Sequence, residues 1–246
     1  MQKTVLVSIA RGLACLAALS VTGRGQQPGG FGGAQSYGVS SSYSPDSSHI
    51  LIGDCEQRRV WTLGAEYTRL LYHGPLFRLD YEASVMPLYE ETDPVVTGTT
   101  FTLAGQQISN PQPAQRVVVV PRGPVGTVTG VPGGPIPVYA VLGRVDTYSG
   151  ALSPLGARIS ALPGWRVQPS MALDLGFVAS HRDIPIDQSD QFNYMFSFGP
   201  GVQFFPNRNT SWRVEYIYRH TSNAGQGFQN PGVDQGVIRV TLSHHR

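Results

Sequence analysis

Cysteine is nearly absent from this chain of 246 residues, which holds only Cys15 and Cys55. Cys15 falls in a stretch that reads as a removable leader, so the mature chain can form no internal disulfide and no metal centre built on thiolates. Charge is scarce as well. Asp, Glu, Lys and Arg make up 14% of the residues and the net charge is +2, too little for the basic surface that nucleic acid requires. No apolar run reaches the ~20 residues of a membrane-spanning helix, which argues against a helical membrane protein.

What the chain does have is glycine (29), proline (19) and long stretches of alternation. Residues 1–25 read as an export signal: Lys3 near the start, an apolar segment over Leu13–Leu19, then small residues before Arg24. Gly12 stands where a lipid-attachment signal would carry Leu, so Cys15 reads as an ordinary signal-peptide residue. Residues 26–35 form a flexible Gly/Gln lead-in, and 36–246 a single domain.

Successive side chains of a strand face opposite sides. Over Val60–Tyr72, Trp61, Leu63, Ala65, Tyr67 and Leu71 oppose Thr62, Gly64, Glu66 and Thr68. After the turn His73-Gly74-Pro75, Phe77, Leu79, Tyr81, Ala83 and Val85 oppose Arg78, Asp80, Glu82 and Ser84. The same split runs through 167–177, 192–204, 212–222 and 234–242, whereas 36–44 and 150–161 alternate poorly; together they make eight strands. From Glu90 to Thr147 the pattern dissolves into Pro, Gly, Thr and Val. Residues 90–149 therefore read as one long loop, with Glu90, Glu91 and Asp93 as its solvated base and the Val117–Val120 run adding a short hairpin. His244 and His245 read as solvated terminal residues rather than metal ligands.

Two architectures share this pattern, a soluble barrel with apolar faces inward and an outer-membrane barrel with apolar faces toward lipid. Connections are long near 45–58, 90–149, 181–190 and 224–233 and short near 73–75, 162–165 and 206–210, the asymmetry of a membrane barrel. The charged faces carry Glu66, Asp80, Glu82, Asp174 and Glu215 against Arg78, Arg213, Arg219 and Arg239, five acids and four bases that could pair within a narrow lumen. Both features predict an all-β, eight-stranded antiparallel transmembrane barrel of the outer-membrane type.

Candidate chemistry lies near the end of the chain. The apolar face Trp212, Val214, Tyr216, Tyr218 finishes in His220 and Ser222, and the next strand places Asp234 on the same face as Ile238 and Val240. If 224–233 closes a hairpin, a base, a hydroxyl and a carboxylate meet at the long-loop end on the lipid side, the grouping nucleophilic catalysis needs. The aromatics Trp212, Tyr216, Tyr218 and the Phe192–Phe204 stripe read as lipid-facing or interfacial.

His220-Thr221-Ser222-Asn223-Ala224-Gly225, followed by Asn230-Pro231-Gly232-Val233-Asp234, resembles the active-site hairpin of the PagL-type lipid A 3-O-deacylases, also called acyloxyacyl hydrolase-like proteins. Phe192-Asn193-Tyr194, Gly199-Pro200-Gly201-Val202 and Ser153-Pro154-Leu155-Gly156 look like that family too. The resemblance implies an outer-membrane serine esterase acting on lipid A of lipopolysaccharide, with His220 as base and Ser222 as nucleophile. Asn223 and the amides near Ala224 and Gly225 would hold the oxyanion. No cofactor or metal is implied, and homodimer formation stays open. The chain departs from the family in holding Asp234 where Glu is common, in its long 90–149 insertion and in lacking a terminal aromatic. A non-catalytic barrel with a structural or adhesive role is the alternative, distinguished by Ser222→Ala being chemically silent.

Overall fold

The computed structural model describes residues 30–246; the export signal and the start of the lead-in lie outside the described residues. Ten strands follow in order: β1 (Gln35–Ser44), β2 (Arg59–His73), β3 (Phe77–Leu103), β4 (Gln106–Arg116), β5 (Pro124–Val128), β6 (Ile136–Ala161), β7 (Val167–Ile184), β8 (Asp190–Asn207), β9 (Thr210–Ser222) and β10 (Val233–His245). Eight of them, all but β4 and β5, pair antiparallel in a closed ring. The ring is sealed by β1 against β10, from Ser36 opposite His245 to Tyr43 opposite Ile238. Closure leaves these strands no unpaired edge, which lipid would not tolerate.

β3 and β6 run for 27 and 26 residues, well beyond the ~9–11 that cross a bilayer. Their far halves pair with each other as far as Thr100 opposite Tyr139, β4 folding back on β3 and β5 on β6. The segment 90–149 is thus mostly a sheet standing on the barrel rather than a loop. Val117–Val120 lies between β4 and β5 and forms no hairpin.

The polarity of the wall is that of a membrane barrel. Trp212, Val214 and Tyr216 are about half exposed on the outside, whereas Arg213, Glu215 and Arg219 on the alternate side of the strand are buried in the lumen. β1 alternates poorly because its inward side is serine: Ser36 meets Thr68 at 2.6 Å and Ser42 meets Thr62 at 2.7 Å. Small hydroxyl groups fill a narrow lumen while satisfying each other.

The lumenal charges interlock. Arg158 bonds Glu82 and Glu215, Arg213 bonds Glu66, and Arg239 bonds Glu215 at 2.6 Å and Asp174 at 3.3 Å, while Arg78 pairs with Asp80. Arg158 is a base absent from the nine charges expected inside, and it balances the five acids with a fifth arginine. Toward the long-loop end the interior turns apolar, with Val60, Met86, Tyr89, Ala151, Val178, Ile184 and Met195 in one cluster; Arg219 stands over the Tyr89 ring at 5.8 Å. Glu215 serves three arginines, since its carboxylate lies within 3.1 Å of Arg213, Arg158 and Arg239. Glu215→Ala is expected to cost about 3–5 kcal/mol, the usual cost of stranding a buried ionic partner, read as a lower urea midpoint for the heat-modifiable folded band.

Two sequence expectations are corrected here. Glu91 and Asp93 are buried rather than solvated, because Arg58 reaches them at 3.3 and 2.9 Å. His245 is also buried, its ring nitrogen 2.7 Å from the Ser211 hydroxyl, and only His244 faces outward.

Candidate active site

β9 and β10 form the hairpin the sequence suggested, with Asp234 directly opposite His220 in the ladder and Gly236 opposite Tyr218. Direct opposition on one face brings two Cβ atoms to about 5 Å, close enough for the short Asp side chain to reach the imidazole. His220 Nδ1 lies 2.6 Å from Asp234 Oδ1. A carboxylate only accepts, so Nδ1 carries the proton and Nε2 is left as an acceptor. The ring is held on its other sides by Phe196, at 5.3 Å between centroids, and by Gly232, where an added Cβ would come within 2.8 Å of Cε1. Gly232 also sits at φ +64°, so glycine is required there twice over.

Asp234 is fully buried and accepts four hydrogen bonds. Oδ1 takes His220 and the Tyr218 hydroxyl, the latter at 2.7 Å; Oδ2 takes the amides of Leu51 and Ile52 at 2.6 and 2.9 Å. Tyr218 is therefore not a simple lipid-facing aromatic. Packed against Phe196 and Phe198, it orients the carboxylate from below.

The two amides belong to the β1–β2 connection, a strap that crosses the outer face of the hairpin. Ser47 bridges to Gln235, Asp54 N bonds Pro231 O at 2.8 Å, and Cys55 N bonds Gly232 O at 3.2 Å. Arg58 roots the strap by donating from Nη2 to Val117 O and Pro185 O while its Nε faces Glu91 and Asp93. Cys55 is enclosed at this root, and burial pushes its thiol up to about 12. Only thiolate reacts, so maleimide labelling of Cys55 at neutral pH is expected to be slower by about a thousandfold in the folded barrel than in urea. Rapid labelling of the folded form would show the strap to be open.

Ser222 stands two residues beyond His220 on the same strand, opposite Tyr194, and is half-buried. Among the described residues its hydroxyl has no hydrogen-bond partner, and the structure does not bring it into contact with His220. Asn223 is wholly buried and committed to the loop: its amide donates to Asn230 Oδ1, its carboxamide NH to Gln229 O, and its Oδ1 accepts from Gly225 N. Of the three residues expected to support an oxyanion, only Ala224 has an amide without a partner among the described residues. Ala224 and Gly225 sit at φ +53° and +78°, the two central residues of a tight turn closed by Gln226 N donating to Asn223 O at 3.1 Å. A non-glycine residue held there beside a hydroxyl carries strain that clusters at functional sites.

Residues 161–243 match the family described as Lipid A 3-O-deacylase (PagL). Over that segment the chain is similar to the PagL family. The solved outer membrane enzyme PagL overlays it with a TM-score of 0.50 at 12% identity, covering 83% of this chain and 97% of that one. At that identity the likeness speaks for the fold, an outer-membrane β-barrel. Neisserial surface protein A covers 86% of this chain and 97% of its own at 11% identity and a TM-score of 0.42. OprG from Pseudomonas aeruginosa covers 87% and 97% at 11% and 0.42. No curated protein matches the sequence. The matched segment of this barrel holds His220, Ser222, Tyr218 and Asp234, whereas the strap that completes the acid's surroundings lies outside it.

Proposed function

We propose that the chain is an outer-membrane serine esterase that removes an ester-linked acyl chain from lipid A. The observation that carries the proposal is the 2.6 Å contact between His220 Nδ1 and Asp234 on the outward face, with Ser222 one strand repeat further along it. A substrate reaching that face comes from the lipid, not from the lumen.

The chemistry follows from the donors and acceptors present. Ser222 Oγ attacks the ester carbonyl as its proton passes to His220 Nε2, and the imidazolium is held by Asp234. The carbonyl oxygen becomes an oxyanion, for which the Ala224 amide serves as donor, since those of Asn223 and Gly225 are committed within the turn. Collapse breaks the bond to the sugar oxygen, which leaves with the proton from Nε2. Water then adds to the acyl-serine by the same route, releasing a fatty acid and restoring the hydroxyl. No step calls for a cofactor.

The test is mass spectrometry of lipid A from outer membranes with and without the folded protein. Loss of one acyl chain, with the free hydroxyacid recovered, is the expected result. Lipid A that keeps every chain despite abundant folded barrel would favour the structural or adhesive role instead.

A further inference from the structure

Catalysis in the reading above needs an ionised acid on a surface that faces lipid, where an ion without several partners is costly. The hairpin supplies Asp234 with only two donors of its own, His220 and Tyr218. The other two come from a loop nearly two hundred residues away in sequence. We infer that the strap Ser48–Cys55 is a positioning part of the hydrolytic site, with Gly53 setting its distance from the acid; the inference rests on the esterase proposal.

Four observations converge on it. Leu51 and Ile52 turn their amides inward to Oδ2 of Asp234, while their side chains, with that of Ile50, are exposed on the outer face. The strap thereby replaces hydration of the carboxylate and presents an apolar surface to the membrane. Gly53 lies so close that a Cβ there would fall 2.6 Å from the Asp234 amide nitrogen and 2.8 Å from Oδ1. It also stacks on Gly232, whose own added Cβ would lie 3.5 Å from Gly53 Cα. The backbone of the strap is fastened on both sides of Gly53, through Ser48 N to Asp234 O at 3.3 Å and Asp54 N to Pro231 O at 2.8 Å. With one oxygen bound by the hairpin and the other by the strap, the carboxylate cannot rotate. The imidazole is then locked in the tautomer that leaves Nε2 free.

The same geometry accounts for Asp in place of the longer acid. A Glu at 234 would carry its carboxylate one methylene further, into space that the strap amides and Gly53 occupy. The shorter acid fits because the strap comes to meet it.

Gly53→Ala tests this, with Met171→Ala as control, an exposed side chain of β7 outside both the strap and the hairpin. Folded barrel is measured by heat-modifiable mobility, and competent sites by titrating Ser222 with a fluorophosphonate probe. Turnover per labelled serine on lipid A is expected to fall ten- to a hundredfold in Gly53→Ala with KM little changed, and to stay at the wild-type value in Met171→Ala. A purely structural role for the strap would lower the number of labelled barrels without lowering turnover per label, and that result overturns the inference. Should Gly53→Ala fail to give a folded band, Ile52→Pro removes one of the two amide donors and is read the same way. A wild type that neither labels at Ser222 nor releases acid would instead remove the esterase reading, and the inference with it.

Discussion

Ser222→Ala is expected to lower deacylation by at least about ten-thousandfold while leaving the barrel folded. Removing the nucleophile of a serine hydrolase leaves only what binding and oxyanion donors contribute over water. The structure gives no substitute near at hand. Thr221 points into the lumen, where it is buried, the Tyr218 hydroxyl is engaged by Asp234 on the far side of His220, and the Tyr194 hydroxyl, a phenol, is held by Gln226 at 3.0 Å. Ser222 is half-buried at the end of β9 and its hydroxyl has no partner among the described residues, so the truncation should cost little stability. Lipid A from membranes carrying equal amounts of folded wild type and variant is the material to compare. Equal loss of an acyl chain from both would assign the hydrolysis to another group.

The second large effect is that of Asp234→Asn, expected at about ten-thousandfold, the scale seen when the acid of such a triad becomes an amide. Two donors approach one oxygen from the strap and two approach the other from the hairpin. An Asn side chain has one accepting atom and can satisfy only one side. If its oxygen stays with the Leu51 and Ile52 amides, its NH2 faces His220 and draws the Nδ1 lone pair. The ring proton then moves to Nε2, where it blocks transfer from Ser222. Turnover should fall with heat-modifiable mobility retained, since the β9–β10 ladder does not depend on the side chain. Turnover like that of the wild type would remove Asp234 from the triad.

Much of this site is legible in the sequence because strand alternation reports facing directly. His220, Ser222 and Asp234 are placed on one face by parity alone, and the ladder register puts His220 opposite Asp234. Parity fails wherever a bulge inserts a residue. Between Met86 and Tyr89 the β3–β6 register slips, so inward positions change from even to odd and Glu91 and Asp93 enter the interior. A second slip near Pro154, between Leu152 and Leu155, reverses β6 and turns Arg158 inward. That is why the strand over 150–161 looked weak and its arginine was missed. The strap was invisible for a different reason: amide donors leave no trace in residue type, and only Gly53 at its closest point hints at a tight approach. Tyr218 is on the face that parity gives it, but an aromatic on the outside of a membrane barrel is ordinarily an interface residue, and nothing in its residue type marks the hydroxyl contact with Asp234.

The interlocked charges of the lumen bear on permeability. Arg158 and Arg213 are among the largest fully buried side chains of the described residues, and the carboxylates they meet, Glu66, Glu82 and Glu215, come from β2, β3 and β9. A barrel plugged along its axis by its own side chains offers ions and nutrients no passage, unlike the water-filled porins built on wider rings. Such a molecule can be inserted at high copy number without weakening the membrane as a diffusion barrier. The face such a barrel opens to its surroundings in the membrane is the outside of the cylinder, where acyl chains already are.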